Sequence, residues 1–64
     1  MNAILEYFAS NIATLDDCAN DLEFELHYVK EFGEQLIERG ELVHMGTVVD
    51  FRGKVMDFYH LKTE

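Results

Sequence analysis

The sequence predicts a small α+β domain in which three helices are followed by a β-hairpin. Over residues 2–39, apolar residues recur at intervals of three and four, which is the spacing of amphipathic helices. Residues 42–61 are instead rich in β-branched and aromatic residues on both sides of a turn that contains a glycine. With 64 residues the chain has room for one domain, which we expect to span residues 1–64.

The first two helices are expected over residues 2–11 and 14–23. Thr14 is a candidate N-cap for the second helix, because the aspartates that follow it suit the positive end of a helix dipole. Cys18 is the lone cysteine of the chain, and we expect it to be a small core residue. The first helix is predicted because Ile4, Leu5, Phe8 and Ile12 fall at helical spacing on one face.

The third helix is expected over residues 25–39. Gly40 follows its last apolar residues, as is typical of a helix C-terminus. Gly33 lies inside the helix, where glycine costs about 1 kcal/mol relative to alanine. Its presence predicts that another backbone approaches the helix closely at that point.

The last element is a hairpin with strands over residues 42–49 and 54–61. The loop Asp50–Gly53 predicts a type I turn with a glycine bulge, and the charges of Asp50 and Lys54 are expected to pair beside it. The resulting register makes Met45 a neighbour of Tyr59, and His44 a neighbour of His60. One predicted face carries Val43, Met45, Val49, Val55, Tyr59 and Leu61, and the other carries Val48, Met56 and Phe58 with the two histidines.

This order of elements resembles the winged helix-turn-helix domain superfamily. ILEYF resembles the first helix of that family, TLDDCANDL resembles the second, and Val29, Leu36 and Gly40 followed by Leu42 and Val43 resemble the third helix and its exit into the wing. The resemblance covers residues 4–61 and implies a winged-helix fold. It departs from the family at Gly33, where a large aliphatic residue is usual, and in the turn before the third helix, which has no glycine.

The missing turn glycine leaves an alternative fold open. A single stripe of apolar and small residues runs from the second predicted helix into the third, as it would along one uninterrupted helix. This alternative is a long helix followed by a β-hairpin, and it would be dimeric. The stripe consists of Leu15, Ala19, Leu22, Leu26, Val29, Gly33 and Leu36.

Other features predict a cytoplasmic protein that is not an enzyme. No segment approaches the roughly 20 apolar residues of a membrane span, and the N-terminal residues lack a basic leader. We find no glycine-rich phosphate loop, zinc motif or paired nucleophile and base, so no cofactor is expected. The predicted neighbours His44 and His60 lack further ligands, so no metal site is expected either.

The negative charge is concentrated in the middle of the chain. The net charge is −8, and residues 14–41 alone carry nine acidic residues against Lys30 and Arg39. The outward side of the third helix would therefore repel phosphate and attract a basic surface. The predicted partner-binding residues on this helix are Glu25, His27, Glu31, Glu34 and Glu38.

These features predict a small acidic regulatory module that acts through contacts with a basic protein partner. The winged-helix resemblance implies transcription or another nucleic-acid process, in which the acidic helix would serve as a DNA mimic or inhibitor. The hairpin face of Val48, Met56 and Phe58 is expected to bind a partner or a second copy, since three helices cover only one face of a hairpin.

The alternative function is a DNA-binding transcriptional regulator that acts as a dimer. In winged helices the third helix reads the major groove, a task that favours basic and amide side chains. Here the acidic third helix opposes DNA binding. The candidates for phosphate contacts are Arg52 and Lys54 at the tip of the hairpin.

Overall fold

The computed structural model describes residues 2–62, which form three helices and a two-stranded antiparallel hairpin. The predicted fold class and order of elements are confirmed. No helix in this part of the chain has the length and apolar character needed to cross a membrane. The elements are α1 (Ala3–Ser10), α2 (Leu15–Leu22), α3 (Leu26–Glu38), β1 (Leu42–Val49) and β2 (Val55–Leu61).

Polar side chains cap the first two helices. The Asn2 side chain accepts a hydrogen bond from the backbone N–H of Ile4 at 2.8 Å. The Thr14 hydroxyl accepts one from the N–H of Asp17 at 3.0 Å, which confirms the predicted N-cap. Helix α1 ends at Ser10, so Ile12 lies beyond it and is 56% exposed. The prediction that Ile12 continues the apolar face of the first helix is therefore wrong.

The linker between α1 and α2 pairs with the hairpin, which the sequence did not predict. The N–H of Ala13 donates to the carbonyl of Tyr59 at 3.1 Å, and the N–H of Tyr59 donates back at 2.8 Å. Thus β2 has β1 on one side and the linker segment at Ala13 on the other. Ala13 is only 5% exposed, so this bridge belongs to the core.

Helices α2 and α3 are separate because the chain turns sharply at Glu23. Glu23 has a left-handed backbone conformation, with φ of 57°. The N–H groups of Glu23 and Phe24 donate to the carbonyls of Asn20 and Ala19, which is the Schellman pattern that ends many helices. The alternative of one long helix is therefore wrong. A glutamate occupies the position that glycine usually takes in such a turn.

Gly40 lies just beyond α3 and Gly33 lies inside it, and the two glycines have different roles. Gly40 has a φ of +76° just beyond the end of α3, and its N–H donates to the carbonyl of Ile37 at 3.0 Å. This confirms the predicted glycine at the end of the helix. At Gly33 a Cβ atom would lie 2.5 Å from Cδ2 of Leu15. The close neighbour is thus a side chain of α2, and the prediction of a backbone there is wrong.

The core lies between the three helices and the base of the hairpin. Cys18 is fully buried, as predicted, and burial followed by the nearby charge of Asp21 raises the pKa of its thiol to about 11. The thiol is therefore protonated at neutral pH and packs as a small apolar group. The buried apolar side chains are Ile4, Phe8, Ala13, Cys18, Ala19, Val29, Leu36 and Leu42, with Thr14 at their edge.

A β-bulge at Met45 changes the predicted register of the hairpin. The predicted pairs from Val49–Val55 to Gly46–Phe58 are confirmed. Beyond them β1 has one extra residue, so His44 pairs with Tyr59. The predicted pairs of Met45 with Tyr59 and of His44 with His60 are therefore wrong.

The turn of the hairpin is stabilised by Asp50. Gly53 has a φ of +83°, and its N–H donates to the carbonyl of Asp50 at 2.9 Å, as expected for a turn with a glycine bulge. The carboxylate of Asp50 accepts the N–H groups of Arg52 at 2.8 Å and Lys54 at 2.9 Å. The Lys54 ammonium group lies instead 3.4 Å from Asp16, so the predicted ion pair beside the turn is replaced by these contacts.

The left-handed conformation of Glu23 should limit the stability of the domain. Residues with a Cβ atom pay roughly 1–2 kcal/mol for this conformation, and glycine does not. We expect Glu23→Gly to raise the free energy of unfolding by about 1 kcal/mol, measured by urea denaturation. Glu23→Ala is the control, because it removes the same charge but keeps the Cβ atom. Equal stability of the two variants would contradict this account.

The contact between Gly33 and Leu15 should appear as a coupling between the two positions. We expect Gly33→Ala to stabilise the domain by clearly less than the roughly 1 kcal/mol that helix propensity alone offers, because the end of the Leu15 side chain has to move away from the added methyl group. In a Leu15→Ala background the same change should stabilise the domain by up to about 1 kcal/mol. A double-mutant cycle of urea unfolding measures the difference, and additive effects would refute the contact.

Candidate functional site

The outer side of α3 carries an acidic face, which we define as His27, Glu31, Glu34 and Glu38. These residues recur every three or four positions and are all exposed. At about 100° per residue they lie within roughly 60° of one another, on the side opposite to the buried Val29, Gly33 and Leu36. The packing of α3 against the core therefore turns these side chains towards solvent.

Glu25 lies at the end of the acidic face. It is the N-cap residue of α3, is exposed, and makes no capping hydrogen bond with its side chain. Its charge is placed favourably, at the positive end of the helix dipole. Of the five predicted residues on this helix, four thus share one face and Glu25 precedes it.

The charge of the acidic face is little compensated. His27 Nε2 lies 3.2 Å from a carboxylate oxygen of Glu31, but both side chains are about two-thirds exposed or more. Such exposed pairs contribute little to stability. Within residues 2–62 neither Glu34 nor Glu38 has a cationic partner within ion-pair distance. The face therefore presents a negative field to solvent.

An aromatic ladder, formed by Phe24, Tyr28 and Phe32, borders the acidic face. The rings of Phe24 and Tyr28 meet edge to face with centroids 5.9 Å apart, and those of Tyr28 and Phe32 stack at 6.4 Å. Phe24 and Tyr28 remain 38% and 49% exposed. The ladder was not predicted, although aromatic residues at intervals of four were the available signal. Exposed aromatic side chains are enriched in protein interfaces.

The side of the hairpin that faces the helices carries a polar cluster of His44, Thr47 and Asp57. The cluster is exposed and lies further along the strands than the buried Leu42. Asp57 Oδ1 accepts a hydrogen bond from the Thr47 hydroxyl at 2.8 Å and lies 3.0 Å from His44 Nε2. The hydrogen bond from Thr47, and then that from His44, hold the pKa of Asp57 below its usual range. The cluster exists because the bulge brings His44 to the same face as Asp57.

The bulge also separates the two hairpin histidines, which were expected to be neighbours. His60 pairs with Val43, and its ring nitrogen Nδ1 lies 2.7 Å from the carbonyl oxygen of Leu61. In the described part of the chain, no three acidic, histidine or cysteine side chains lie close enough to hold a metal ion.

The outer sheet face is the side of the hairpin turned away from the core. Strand alternation places Val48, Met56 and Phe58 there, as predicted. His60 lies there too, as predicted. The bulge reverses the first residues of β1, so Val43 joins this face and His44, which was also expected here, lies on the opposite one. Because Ala13 in the linker faces the core, alternation along the extended chain turns its neighbour Ile12 to this side as well. The prediction that placed Val43 on the core face is therefore wrong.

The two candidate phosphate-binding residues at the hairpin tip already have partners. The guanidinium of Arg52 lies 5.4 Å from the ring centroid of Phe51, which is 93% exposed. Lys54 lies 3.4 Å from Asp16, at the start of α2. Both contacts are exposed to solvent, so Arg52 and Lys54 together provide only a small area of positive charge.

An open cleft of about 340 Å³ lies between the start of α2 and β2. Lys30 and Lys54 line it together with Asp16, Asp17 and Asp57. Because both signs of charge are interspersed there, the cleft offers no concentrated field for a phosphate or a cation.

The polar cluster predicts a pH dependence of stability. Because the folded pKa of Asp57 is lowered, its contribution is present above the unfolded pKa of about 4 and is lost as the pH falls through the folded value. We expect Asp57→Asn to remove part of the acid-induced loss of stability, measured by urea unfolding as a function of pH. Thr47→Val should raise the pKa of Asp57 in a carboxyl NMR titration, and an unchanged pKa would contradict the assignment.

Comparison of the chain with known protein families, with curated proteins and with solved structures finds no match. The winged-helix resemblance therefore remains a prediction, and a function has to be inferred from the surfaces described above.

Proposed function

We propose that this chain is a small acidic regulatory module that acts through protein–protein contacts and not as an enzyme. Its acidic face and aromatic ladder would together bind a basic segment of a partner protein. The observation that carries this proposal is the position of uncompensated glutamates beside exposed aromatic rings on one helix. Cations of a partner would meet the glutamates, and its apolar or guanidinium groups would meet the rings.

The setting we propose is transcription or another nucleic-acid process in the cytoplasm. This step rests on the winged-helix resemblance of the sequence and on analogy between folds. The single cysteine, whose thiol is buried, suits a reducing compartment. Proteins that bind nucleic acids have basic surfaces, which are natural partners for an acidic helix.

DNA mimicry is one form that this function would take. Glu31, Glu34 and Glu38 place a charge about every 5 Å along the helix axis, given a rise of about 1.5 Å per residue. A DNA strand carries one phosphate about every 3.4 Å. The acidic face therefore offers a sparser row of negative charge, and the aromatic ladder would supply contacts that a row of phosphates lacks.

The alternative of a DNA-binding regulator has less support from the surfaces. The third helix presents glutamates where a basic surround would be needed. Arg52 and Lys54 are engaged with Phe51 and Asp16, and two cations would give a weak electrostatic contribution.

The charge of the acidic face can be tested with two variants of equal net charge. Glu31→Gln, Glu34→Gln and Glu38→Gln together change the net charge from −8 to −5. The control combines Glu6→Gln, Asp17→Asn and Glu23→Gln, which gives the same net charge at other exposed positions. We expect capture of partner proteins from nuclease-treated host extract to fall at least about tenfold only for the first variant.

The variant Tyr28→Ser distinguishes two modes of partner binding. In one the partner contributes an amphipathic segment, and in the other binding depends on charge alone. The change removes the centre of the aromatic ladder and leaves all acidic residues in place. Capture should fall several-fold if the ladder contributes to binding, and it should be unchanged if charge alone acts. Equal losses in the two charge variants would show that the acidic face is not the binding surface.

A further inference from the structure

Within β1 and β2, the outer sheet face carries apolar side chains and one histidine, with no lysine, arginine, aspartate or glutamate. It consists of Ile12, Val43, Val48, Met56, Phe58 and His60. Ile12, Val43 and Val48 are 56%, 41% and 49% exposed, and the other three are half-buried. Nothing in residues 2–62 covers these side chains further, so the face is an unpartnered sheet surface.

Gly46 lies in the middle of this face, and the fold of one chain does not require a glycine there. Its φ is not positive, and a Cβ atom at this position would meet no atom within 4 Å. Glycine within a strand weakens the strand, and it often marks a place where another molecule approaches closely. The neighbouring bulge does not demand it either, because bulges that need glycine use the left-handed conformation.

Gly46 pairs directly with Phe58 across the two strands. The face therefore has a notch beside a large aromatic ring. Two copies can meet face to face about a two-fold axis that runs along the strands, between Gly46 and Phe58. The ring of each copy then lies over the notch of the other, which is the self-complementarity that a symmetric dimer needs. We propose that the outer sheet face binds the same face of a second copy, with Phe58 of each chain over Gly46 of the other.

The charges of the chain argue against three other occupants of the outer sheet face: anionic lipid, nucleic acid and a basic protein. A net charge of −8 repels anionic lipid and nucleic acid, and the strand residues of this face include no lysine or arginine to attract them. A basic protein would favour the acidic face on α3. Two copies of this chain repel each other at residues 14–41 but can meet at an uncharged surface.

The size of the face indicates a weak dimer. Its exposed side chains offer roughly 400 Å² per copy, about half of the area in a standard protein interface. We therefore expect a dissociation constant on the order of tens of micromolar. This inference does not depend on the proposed function of the acidic face.

Sedimentation equilibrium of the whole chain tests the dimer with two neighbouring substitutions. Val48→Lys places a cation on the outer sheet face, and Val49→Lys places it one residue further, on the opposite face of the same strand. Both valines are about half exposed, so both variants should fold. We expect Val48→Lys to raise the dissociation constant at least about tenfold and Val49→Lys to leave it within about twofold.

Gly46→Val provides a second variant that keeps the face uncharged. It should leave the unfolding of the monomer unchanged or more resistant to urea, because a Cβ atom there would meet no neighbour within 4 Å and valine favours strands. It should also weaken the dimer at least about tenfold by filling the notch. A wild-type chain that is monomeric at about 500 μM, or equal effects of Val48→Lys and Val49→Lys, would overturn the proposal.

Discussion

The two backbone hydrogen bonds between Ala13 and Tyr59 are the contact on which the arrangement of the sheet depends. They hold the linker of α1 and α2 against β2, far along the chain. Because Ala13 is buried, Tyr59 must also face the core, and side-chain alternation then assigns every other residue of β2 to one face. The same bridge thus determines which residues complete the core and which are left on the outer sheet face.

Local signals in the sequence were enough to predict the elements and their ends. Thr14, Gly40 and Gly53 each act through neighbours within a few residues. The bulge at Met45 could not be predicted, because β1 has apolar residues at both odd and even positions, and one extra residue reverses the positions of Val43 and His44. The acidic face followed from local charge and helical spacing, whereas the exposure of the aromatic ladder and of Ile12 depends on how the helices and the linker pack.

The acidic residues of α2 and those of α3 have different surroundings. In α2, Asp21 accepts a hydrogen bond from the Tyr7 hydroxyl at 2.7 Å, and Asp16 lies beside Lys54. Burial of Tyr7, and then this hydrogen bond to Asp21, raise the pKa of Tyr7. Asp16 and Asp17 also lie in the first turn of α2, where the helix dipole favours negative charge. Nearby groups and the helix dipole therefore offset the negative charge of α2, whereas the charge of Glu34 and Glu38 on α3 is not offset by a neighbouring cation in the described residues.

The acidic face and the outer sheet face lie on different elements and both point away from the core. A dimer formed through the sheet would therefore leave both acidic faces open to solvent. Such a dimer presents two equivalent sites, so a partner with two basic segments would gain an effective local concentration for its second contact. If the dimer is weak, this gain in effective concentration depends on the concentration of the protein. Dilution separates the two copies, although each acidic face keeps its affinity for a single basic segment. The two surfaces would then be linked thermodynamically: a bivalent partner would favour dimerisation to the extent that dimerisation favours the partner.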